Sequence, residues 1–241
     1  MPQTSENYML IFFKECSRVL LKGKIPDLLA FRYFKKWKNL INKNPLSEKQ
    51  PWLTFKAIDF ITKNTGKNDK VFEYGGGGST LYFLSKVNEV VTVEHDHEWF
   101  YMLQKKIDPA DSVRWLGQLV LPEKPIDTTN LDKSRPADYF SDDPTFRNAT
   151  FKSYSTFICQ FKDEYFDLVL IDGRARTSCL FHAIPKVKTG GFLVLDNAER
   201  KYYLQNNMVM LQKNYRLLIN QMGPVPYSPY FSQTTIWQRI K

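Results

Sequence analysis

The 241-residue chain has 43% hydrophobic and 24% charged residues, proportions that suit a soluble globular protein with one substantial core. Its longest apolar run near the start, about residues 8–13, is too short to span a bilayer, and no leader with a cleavage site accompanies it, so we expect neither a membrane span nor a secretory signal. The three cysteines, Cys16, Cys159 and Cys179, lack metal-like spacing and favour reduced thiols in a cytoplasmic protein over a disulfide framework.

The first fifty residues are basic and helical in pattern. They contain ten Lys and Arg against four Asp and Glu, which is +6 of the chain's net +9. Apolar residues recur at steps of three and four, the spacing of one helix face: Leu28, Phe31, Phe34, Trp37 and Ile41. We predict a helical extension over residues 1–50. Its charge suits either a solvated helix face or contact with an anionic partner, such as a membrane surface, nucleic acid or a phosphorylated substrate.

Residues 51–241 alternate between short apolar runs and helix-sized segments. The runs rich in β-branched residues cover 70–74, 89–94, 112–116, 166–172 and 191–196. Such alternation is typical of a parallel sheet with helices on both faces. Two later runs, 215–221 and 234–239, flank a loop with glycine and prolines and predict a closing antiparallel hairpin. We therefore predict one doubly wound α/β domain with a mostly parallel, seven-stranded sheet, and a long polar loop over about 118–148 that frames a substrate.

A glycine turn follows the first of these strands, in Glu73-Tyr74-Gly75-Gly76-Gly77-Gly78-Ser79-Thr80. Glycines let a ligand approach the backbone closely, and the N–H groups where a helix starts can hold an anionic group such as a carboxylate. The lysine of a P-loop is missing, and Thr80 stands where a dinucleotide fingerprint has its third glycine. The turn therefore favours a nucleoside cofactor without a pyrophosphate, the alternative being a merely flexible turn.

This motif resembles the first motif of the class I S-adenosylmethionine (SAM)-dependent methyltransferases, which is an apolar strand, an acidic residue and Gly-x-Gly-x-Gly. Here Ser79 replaces the last glycine. The resemblance implies a Rossmann-like fold and a ribose-binding acid at the end of the second strand, which is Glu94. It implies that His95 flanks the adenine, the alternative being a surface histidine whose hydrogen bonds are made within the protein. Asp96 is expected to be the N-cap of the helix that follows. The cofactor-binding residues it implies are Glu73, Gly75, Gly77, Ser79, Thr80, Glu94, His95 and Asp172.

Oxygen-bearing side chains end the predicted fourth and fifth strands. Ligands of open α/β sheets bind outside the carboxyl ends of the strands, so Asp172, Asp196 and Asn197 should face one crevice. Carboxylate and amide oxygens suit Mg²⁺, and the set resembles that of metal-dependent catechol-type O-methyltransferases. The lysine that such enzymes carry after the first aspartate is absent from Gly173-Arg174-Ala175-Arg176. We predict a magnesium site at Asp172, Asp196 and Asn197, with a hydrogen-bonded rim or helix cap as the alternative.

The motifs together predict transfer of a methyl group from SAM to an acceptor, expected to be an oxygen of a small molecule or glycan. Asp172 and His182 are the candidate bases, with packing inside a helix as the alternative for His182. Arg174 and Arg176 are candidates to hold an anionic acceptor through paired hydrogen bonds. The Asn/Asp-Pro-Pro-Tyr/Phe segment of enzymes that methylate nucleic-acid amines is absent after the fourth strand, so we do not expect a nucleic-acid acceptor.

Two alternatives to methyl transfer stay open. One is an aminopropyltransferase of the spermidine-synthase type, although its Asp-x-x-Asp-Pro segment is missing after the fourth strand. The other is a non-catalytic protein of the same fold that docks on membrane or nucleic acid through its basic arm. For the methyltransferase we expect a cytoplasmic location, with peripheral membrane contact through residues 1–50.

Overall fold

A mixed seven-stranded sheet forms the centre of the molecule. The computed structural model describes residues 7–21, 30–124, 127, 129–141, 143–146 and 148–241. The strands are β1 (Lys70–Tyr74), β2 (Glu89–Glu94), β3 (Trp115–Leu119), β4 (Phe166–Ile171), β5 (Val187–Leu195), β6 (Tyr215–Gly223) and β7 (Ser232–Arg239). Their order is β3-β2-β1-β4-β5-β7-β6, and the first five are parallel while β7 is antiparallel to both neighbours. The predicted parallel sheet with a closing hairpin is confirmed.

Helices cover both faces of the sheet because successive strand residues point to opposite sides. In β1, for example, Val71 belongs to one buried cluster and Phe72 to the other. The helices are α1 (Tyr8–Leu21), α2 (Phe34–Leu40), α3 (Pro45–Glu48), α4 (Phe55–Asn64), α5 (Gly78–Leu84), α6 (His97–Gln104), α7 (Lys152–Thr156), α8 (Arg176–Ala183) and α9 (Met208–Asn214). The first cluster contains residues of α1, α2, α4 and α5, and the second residues of α7, α8 and α9.

The third strand begins three residues later than the sequence pattern predicts. Residues Pro109–Arg114 form a 3₁₀ helix instead, which Asp108 caps by accepting a hydrogen bond from the N–H of Ala110 at 2.9 Å. Arg114 fixes the end of this helix by donating to the carbonyls of Leu84 and Val87. The predicted start at residue 112 was therefore wrong, because a capped turn and a guanidinium bridge compete locally with strand pairing.

The N-terminal extension packs against the sheet rather than standing apart from it. Phe12 and Trp37 are fully buried in the same cluster as strand residues. Trp37 donates its indole N–H to the carbonyl of Ser228 at 2.9 Å, and the Glu15 carboxylate accepts from the N–H of Phe231 at 2.7 Å. Residues of the first fifty thus hold the loop between β6 and β7 in place.

The helix predicted over residues 28–41 is shorter in the structure, where α2 begins only at Phe34. Leu28 lies outside the described residues, and Ala30–Tyr33 form a 3₁₀ turn that leads into α2. On α1 the outer face exposes apolar side chains, among them Phe13 and Leu20 at 50% and 61%. Contact of this face with a membrane stays a prediction. Within the described residues, the helices are too short or too polar to cross a bilayer.

Candidate active site at the carboxyl edge of the sheet

A cavity of about 610 Å³ opens where β1, β2, β4 and β5 end. The predicted residues that line it are Gly75, Gly77, Ser79, Glu94, His95, Asp172, Arg174, Arg176, Asp196 and Asn197. The topology explains this convergence, because parallel strands deliver their carboxyl ends to one edge. The cavity lies within the range of about 300–1,000 Å³ that is usual for small-ligand sites.

The glycine turn after β1 is fixed by close backbone contacts. Gly75 has φ +89°, a left-handed conformation that favours glycine, and its N–H donates to the carbonyl of Val93 at 2.9 Å. A Cβ on Gly75 would lie 3.0 Å from backbone atoms of Asp172 and Gly173. A Cβ on Gly76 would lie 2.7 Å from Leu103 and Thr92 side-chain atoms. The glycines are therefore required by packing as well as by any ligand, and the turn is a defined structure.

The N–H groups of this turn are already engaged within the protein. Gly75 donates to Val93, Gly76 donates to Glu94 Oε2 at 2.9 Å, and Gly77 donates to the Thr80 hydroxyl at 2.9 Å. These three N–H groups are therefore not available to a ligand, whereas the sequence expectation concerned the N–H groups where α5 starts, from Gly78 onward, and stays a prediction. What the turn offers at these positions is a backbone surface without side chains.

Glu73 lies beneath the glycine turn. Its carboxylate is fully buried and accepts hydrogen bonds from Ser79 Oγ at 2.6 Å, from Thr92 Oγ1 at 2.8 Å and from the hydroxyl of Thr80. Burial raises the pKa of Glu73 to about 7, although the three hydroxyl bonds pull in the opposite direction. Glu73 and Thr80 are not among the residues that line the cavity. They position the turn from below, whereas the sequence predicted them in contact with the cofactor.

Glu94 is the acid that faces the cavity, at the end of β2. It is 3% exposed, and its Oε1 accepts from the N–H groups of His95 and Asp96 at 2.7 and 2.9 Å. The His95 Nδ1 lies 2.6 Å from the same oxygen. Among the described residues, Oε2 accepts a hydrogen bond only from Gly76. Since a carboxylate oxygen has two lone pairs, Oε2 keeps one acceptor position for a ligand hydroxyl.

Trp99 covers the other side of the glycine turn, a role that its neighbouring residues in the chain do not predict. The predicted N-cap of α6 places it, because the Asp96 side chain accepts from the Trp99 N–H at 2.8 Å. The indole N–H then donates to the carbonyl of Gly76 at 2.6 Å. A Cβ on Gly77 would contact the indole ring at 3.5 Å. Trp99 thus forms an aromatic wall beside the turn.

Arg176 occupies the position between the two aspartates at the ends of β4 and β5. Its Nη2 lies 3.0 Å from Asp172 Oδ1, and its Nη1 lies 3.8 Å from Asp196 Oδ2. The guanidinium also donates to the carbonyls of Gly173 and Asp196 at 2.9 and 2.6 Å. Burial raises the pKa of both aspartates, and Arg176 opposes that shift. The prediction that Arg176 binds an anionic acceptor is wrong, because these two carboxylates and the backbone carbonyls already occupy its guanidinium group.

The predicted magnesium site is not supported by this geometry. Asp196 accepts from the Thr234 hydroxyl at 2.7 Å, and the Asn197 amide donates to Ser232 Oγ at 2.9 Å. The guanidinium of Arg176 lies between the carboxylates where a cation would have to lie. Across the described residues no group of three or more His, Cys, Asp and Glu has metal-binding geometry. The alternative of a hydrogen-bonded rim fits Asp196 and Asn197.

Arg174 joins the cavity wall to the long polar loop. Its Nη1 lies 2.9 Å from Asp143 Oδ2, and its Nε donates to His95 Nε2 at 3.3 Å. The His95 ring packs edge-on against Phe146, with 5.1 Å between ring centres. Segment 143–146 of the predicted substrate-framing loop therefore borders the site. His95 is 9% exposed and is part of this wall, and its predicted contact with an adenine stays a prediction.

The loop between β6 and β7 closes the cavity on the opposite side. Ser228, Tyr230 and Phe231 line it, and Glu199 adds a further carboxylate that the sequence did not single out. His182, the second base candidate, lies away from the cavity on α8, where its Nδ1 is 3.4 Å from Cys159 Sγ. Asp172 is therefore the better placed of the two candidate bases.

The sheet order and the position of the glycine turn agree with the methyltransferases that the motifs resemble. The parallel order β3-β2-β1-β4-β5 is extended by an antiparallel β7 between β5 and β6, and the turn after β1 opens the cavity. This chain has a Rossmann-like α/β fold, the fold that the resemblance to class I methyltransferases implies.

Comparisons with known proteins give structural likeness at low identity. No protein-family model and no curated protein sequence matches the chain. An rRNA methylase of Streptococcus thermophilus aligns with TM-score 0.47 and 11% identity, over 76% of this chain and 93% of its own. A precorrin-8w decarboxylase of Methanobacterium thermoautotrophicum gives 0.46 and 16% over 84% and 98%. A TehB-like SAM-dependent methyltransferase of Corynebacterium glutamicum gives 0.42 and 12% over 87% and 97%. We draw no functional conclusion from overlaps this low.

Proposed function

We propose that this protein transfers a methyl group from SAM to an oxygen of a small-molecule acceptor. The observation that carries the proposal is the meeting of Glu94 with the bare glycine turn in one cavity of about 610 Å³. A carboxylate that keeps an open acceptor position beside a surface without side chains suits the ribose of a nucleoside. Trp99, on the far side of the turn, supplies a flat apolar surface next to it.

The charge of the cavity also fits SAM. Of the residues that the structure describes, five carboxylates line it, those of Glu94, Asp96, Asp172, Asp196 and Glu199, against two arginines, Arg174 and Arg176. Such an excess of negative groups favours a ligand with positive centres. When bound, SAM supplies a methyl group on a positively charged sulfur and carries an ammonium group as well. The residues present therefore fit this cofactor in charge as well as in size.

The protein's own contribution is alignment, exclusion of water and one proton transfer. Methyl transfer is an in-line displacement, so the walls must hold the acceptor in line with the methyl group. An acceptor hydroxyl also has to lose its proton. Asp172 is placed for this, because its side chain is 25% exposed and lines the cavity while Arg176 fixes Oδ1. Burial raises the pKa of Asp172 above its ordinary value, which strengthens it as a base.

A methyl-transfer screen tests the proposal. Purified protein with SAM is offered phenolic, sugar, lipid and RNA acceptors, and release of S-adenosylhomocysteine (SAH) is measured, with the methylated atom identified by NMR. We expect turnover with a hydroxyl acceptor and a methyl ether as product. Asp172→Asn should lower turnover by about 100-fold or more, the usual contribution of a general base. Asp163→Asn is the matched control, because Asp163 pairs with Lys186 outside the cavity.

The outcomes separate the parts of the proposal. Absence of both SAM and SAH binding would refute the cofactor assignment. A methylated nitrogen or carbon would refute the choice of oxygen and leave the cofactor in place. Equal turnover by the Asp172 and Asp163 variants would show that Asp172 is not the base.

A further inference from the structure

A second cavity, of about 500 Å³, adjoins the candidate active site across the turn that follows β4. The two cavities share Gly173, Arg174, Arg176 and Asn197 as a common wall. Beyond that wall the second cavity is lined by Lys133, Asp143, Arg200, Tyr202 and Tyr203, among others. We call this second cavity the annex.

The annex and the main cavity differ in charge. Among the described residues, four basic side chains line the annex, those of Lys133, Arg174, Arg176 and Arg200, against one carboxylate, that of Asp143. The main cavity has the opposite balance, with five carboxylates and two arginines. A ligand that spans the shared wall would therefore meet negative groups on one side and positive groups on the other.

The ion pairs within the protein show which arginine of the annex is available to bind an anionic ligand. Arg176 is held by Asp172 and Asp196, and Arg174 lies 2.9 Å from Asp143. Arg200 differs from both. Its Nη1 donates to the Tyr203 hydroxyl at 3.0 Å, and among the described residues it has no carboxylate within 4.0 Å.

Arg200 and Lys133 are positioned by separate contacts. A guanidinium has five N–H donors in a planar fork that matches two oxygens of an oxyanion, and Tyr203 accepts only one hydrogen bond from Arg200. The Lys133 Nζ lies 4.5 Å from the centre of the Tyr202 ring. The Lys133 carbonyl accepts from the Thr177 hydroxyl at 2.7 Å, which anchors its backbone to α8.

We propose that the annex binds an oxyanion group of the methyl acceptor, a phosphate, sulfate or carboxylate, with Arg200 as its main ligand and Lys133 as a second. This rests on the proposed function, because Asp172 lines the main cavity directly before Gly173 of the shared wall and would face the hydroxyl of an acceptor anchored in the annex. The acceptor is then a small anionic molecule that carries both the oxyanion and the hydroxyl. Arg200 selects it, in place of Arg174 and Arg176, which the sequence predicted for this role.

The test measures anion binding separately from cofactor binding. Inorganic phosphate is titrated by ³¹P NMR and acetate by saturation-transfer NMR, at constant ionic strength, with the protein both free and saturated with SAH. The variants are Arg200→Met, Arg200→Lys and Lys133→Met. Arg216→Met is the matched control, because Arg216 is exposed on β6 and bonds only to Gln238 among the described side chains.

We expect saturable binding of at least one anion, and the tighter one distinguishes phosphoryl from carboxylate acceptors. Loss of a charge-assisted hydrogen bond should weaken it at least tenfold in Arg200→Met, with partial recovery in Arg200→Lys and little change in Arg216→Met. SAH affinity and the melting temperature should stay close to wild type in all variants, which excludes misfolding as the cause.

Two results would overturn the annex as an anion site: no saturable binding of either anion, or equal weakening by the Arg200 and Arg216 variants. If an anion binds but SAH does not, the proposed function is refuted and the annex is still an anion site. The two failures are therefore distinguishable.

Discussion

Replacement of the buried carboxylate under the glycine turn should change how stability depends on pH. Glu73 is fully buried among three hydroxyl donors, and burial raises the pKa of Glu73 from its ordinary value of 4.5 to about 7. Between these two pH values the unfolded chain has released a proton that the native protein still holds. The unfolded state binds fewer protons there, so the free energy of unfolding falls as pH rises.

The size of the effect follows from the shift. One pKa unit corresponds to about 1.4 kcal/mol, so the contribution of Glu73 that is lost between pH 4.5 and neutral pH is roughly 3 kcal/mol. Glu73→Gln does not titrate and nearly matches the protonated carboxyl in shape. At pH 4.5 its stability should lie within about 1 kcal/mol of wild type, the usual net contribution of one hydrogen bond. At pH 8.5 it should exceed wild type by roughly 2–3 kcal/mol.

Urea unfolding followed by circular dichroism at pH 4.5 and pH 8.5 measures the effect. Burial also raises the pKa of Asp172 and Asp196, so the difference between wild type and variant, and not the wild-type curve alone, isolates Glu73. Glu98→Gln, on the exposed surface of α6, is the control and should give the same difference at both pH values. A difference between wild type and Glu73→Gln that is unchanged by pH would refute this reasoning.

Three further predictions concern single positions. A Cβ on Gly173 would overlap the Tyr154 hydroxyl, so Gly173→Ala should destabilise the fold by about 1–3 kcal/mol in urea unfolding; Gly66→Ala, with open space around it, should be nearly neutral, and equal losses would contradict this. Trp99→Phe keeps a ring but removes the donor to the glycine turn, and calorimetry should show SAH affinity lowered about two- to tenfold; unchanged affinity would remove Trp99 from the site. Vesicle sedimentation with anionic lipid should show binding that Phe13→Glu reduces at least about fivefold, and equal sedimentation would contradict a membrane role for α1.

The parts of the fold that the sequence predicts are those with strong local signals. The β-branched runs at β1, β2 and β4 match the structure within a residue, and so does the Asp96 cap of α6. Glu94 was identified through the resemblance to the methyltransferases, in which an acid ends the second strand. The start of β3 was misplaced because the competing 3₁₀ helix depends on Arg114 reaching carbonyls that lie 27 and 30 residues away in the chain.

The roles of charged residues in the site depend on contacts between distant segments. Strand periodicity does not reveal that Thr92, nineteen residues after Glu73, donates a hydrogen bond to the Glu73 carboxylate. It also does not reveal that Arg176 lies between the carboxylates of Asp172 and Asp196. For the same reason Arg176 was predicted as a substrate ligand, although it is an internal counter-ion. Arg200 reaches the annex from the segment after β5, and nothing in its immediate sequence distinguishes it.

Calorimetric titration of SAH into wild type, Glu94→Gln and Glu98→Gln tests the central claim most directly. Glu94 presents one open carboxylate oxygen to the cavity, whereas Glu98 lies four residues further on, on the exposed surface. We predict saturable binding by wild type and by Glu98→Gln, and binding at least about tenfold weaker by Glu94→Gln, since one charge-assisted hydrogen bond is removed. No heat of binding with wild type, or three equal affinities, would contradict the assignment of this cavity to SAM.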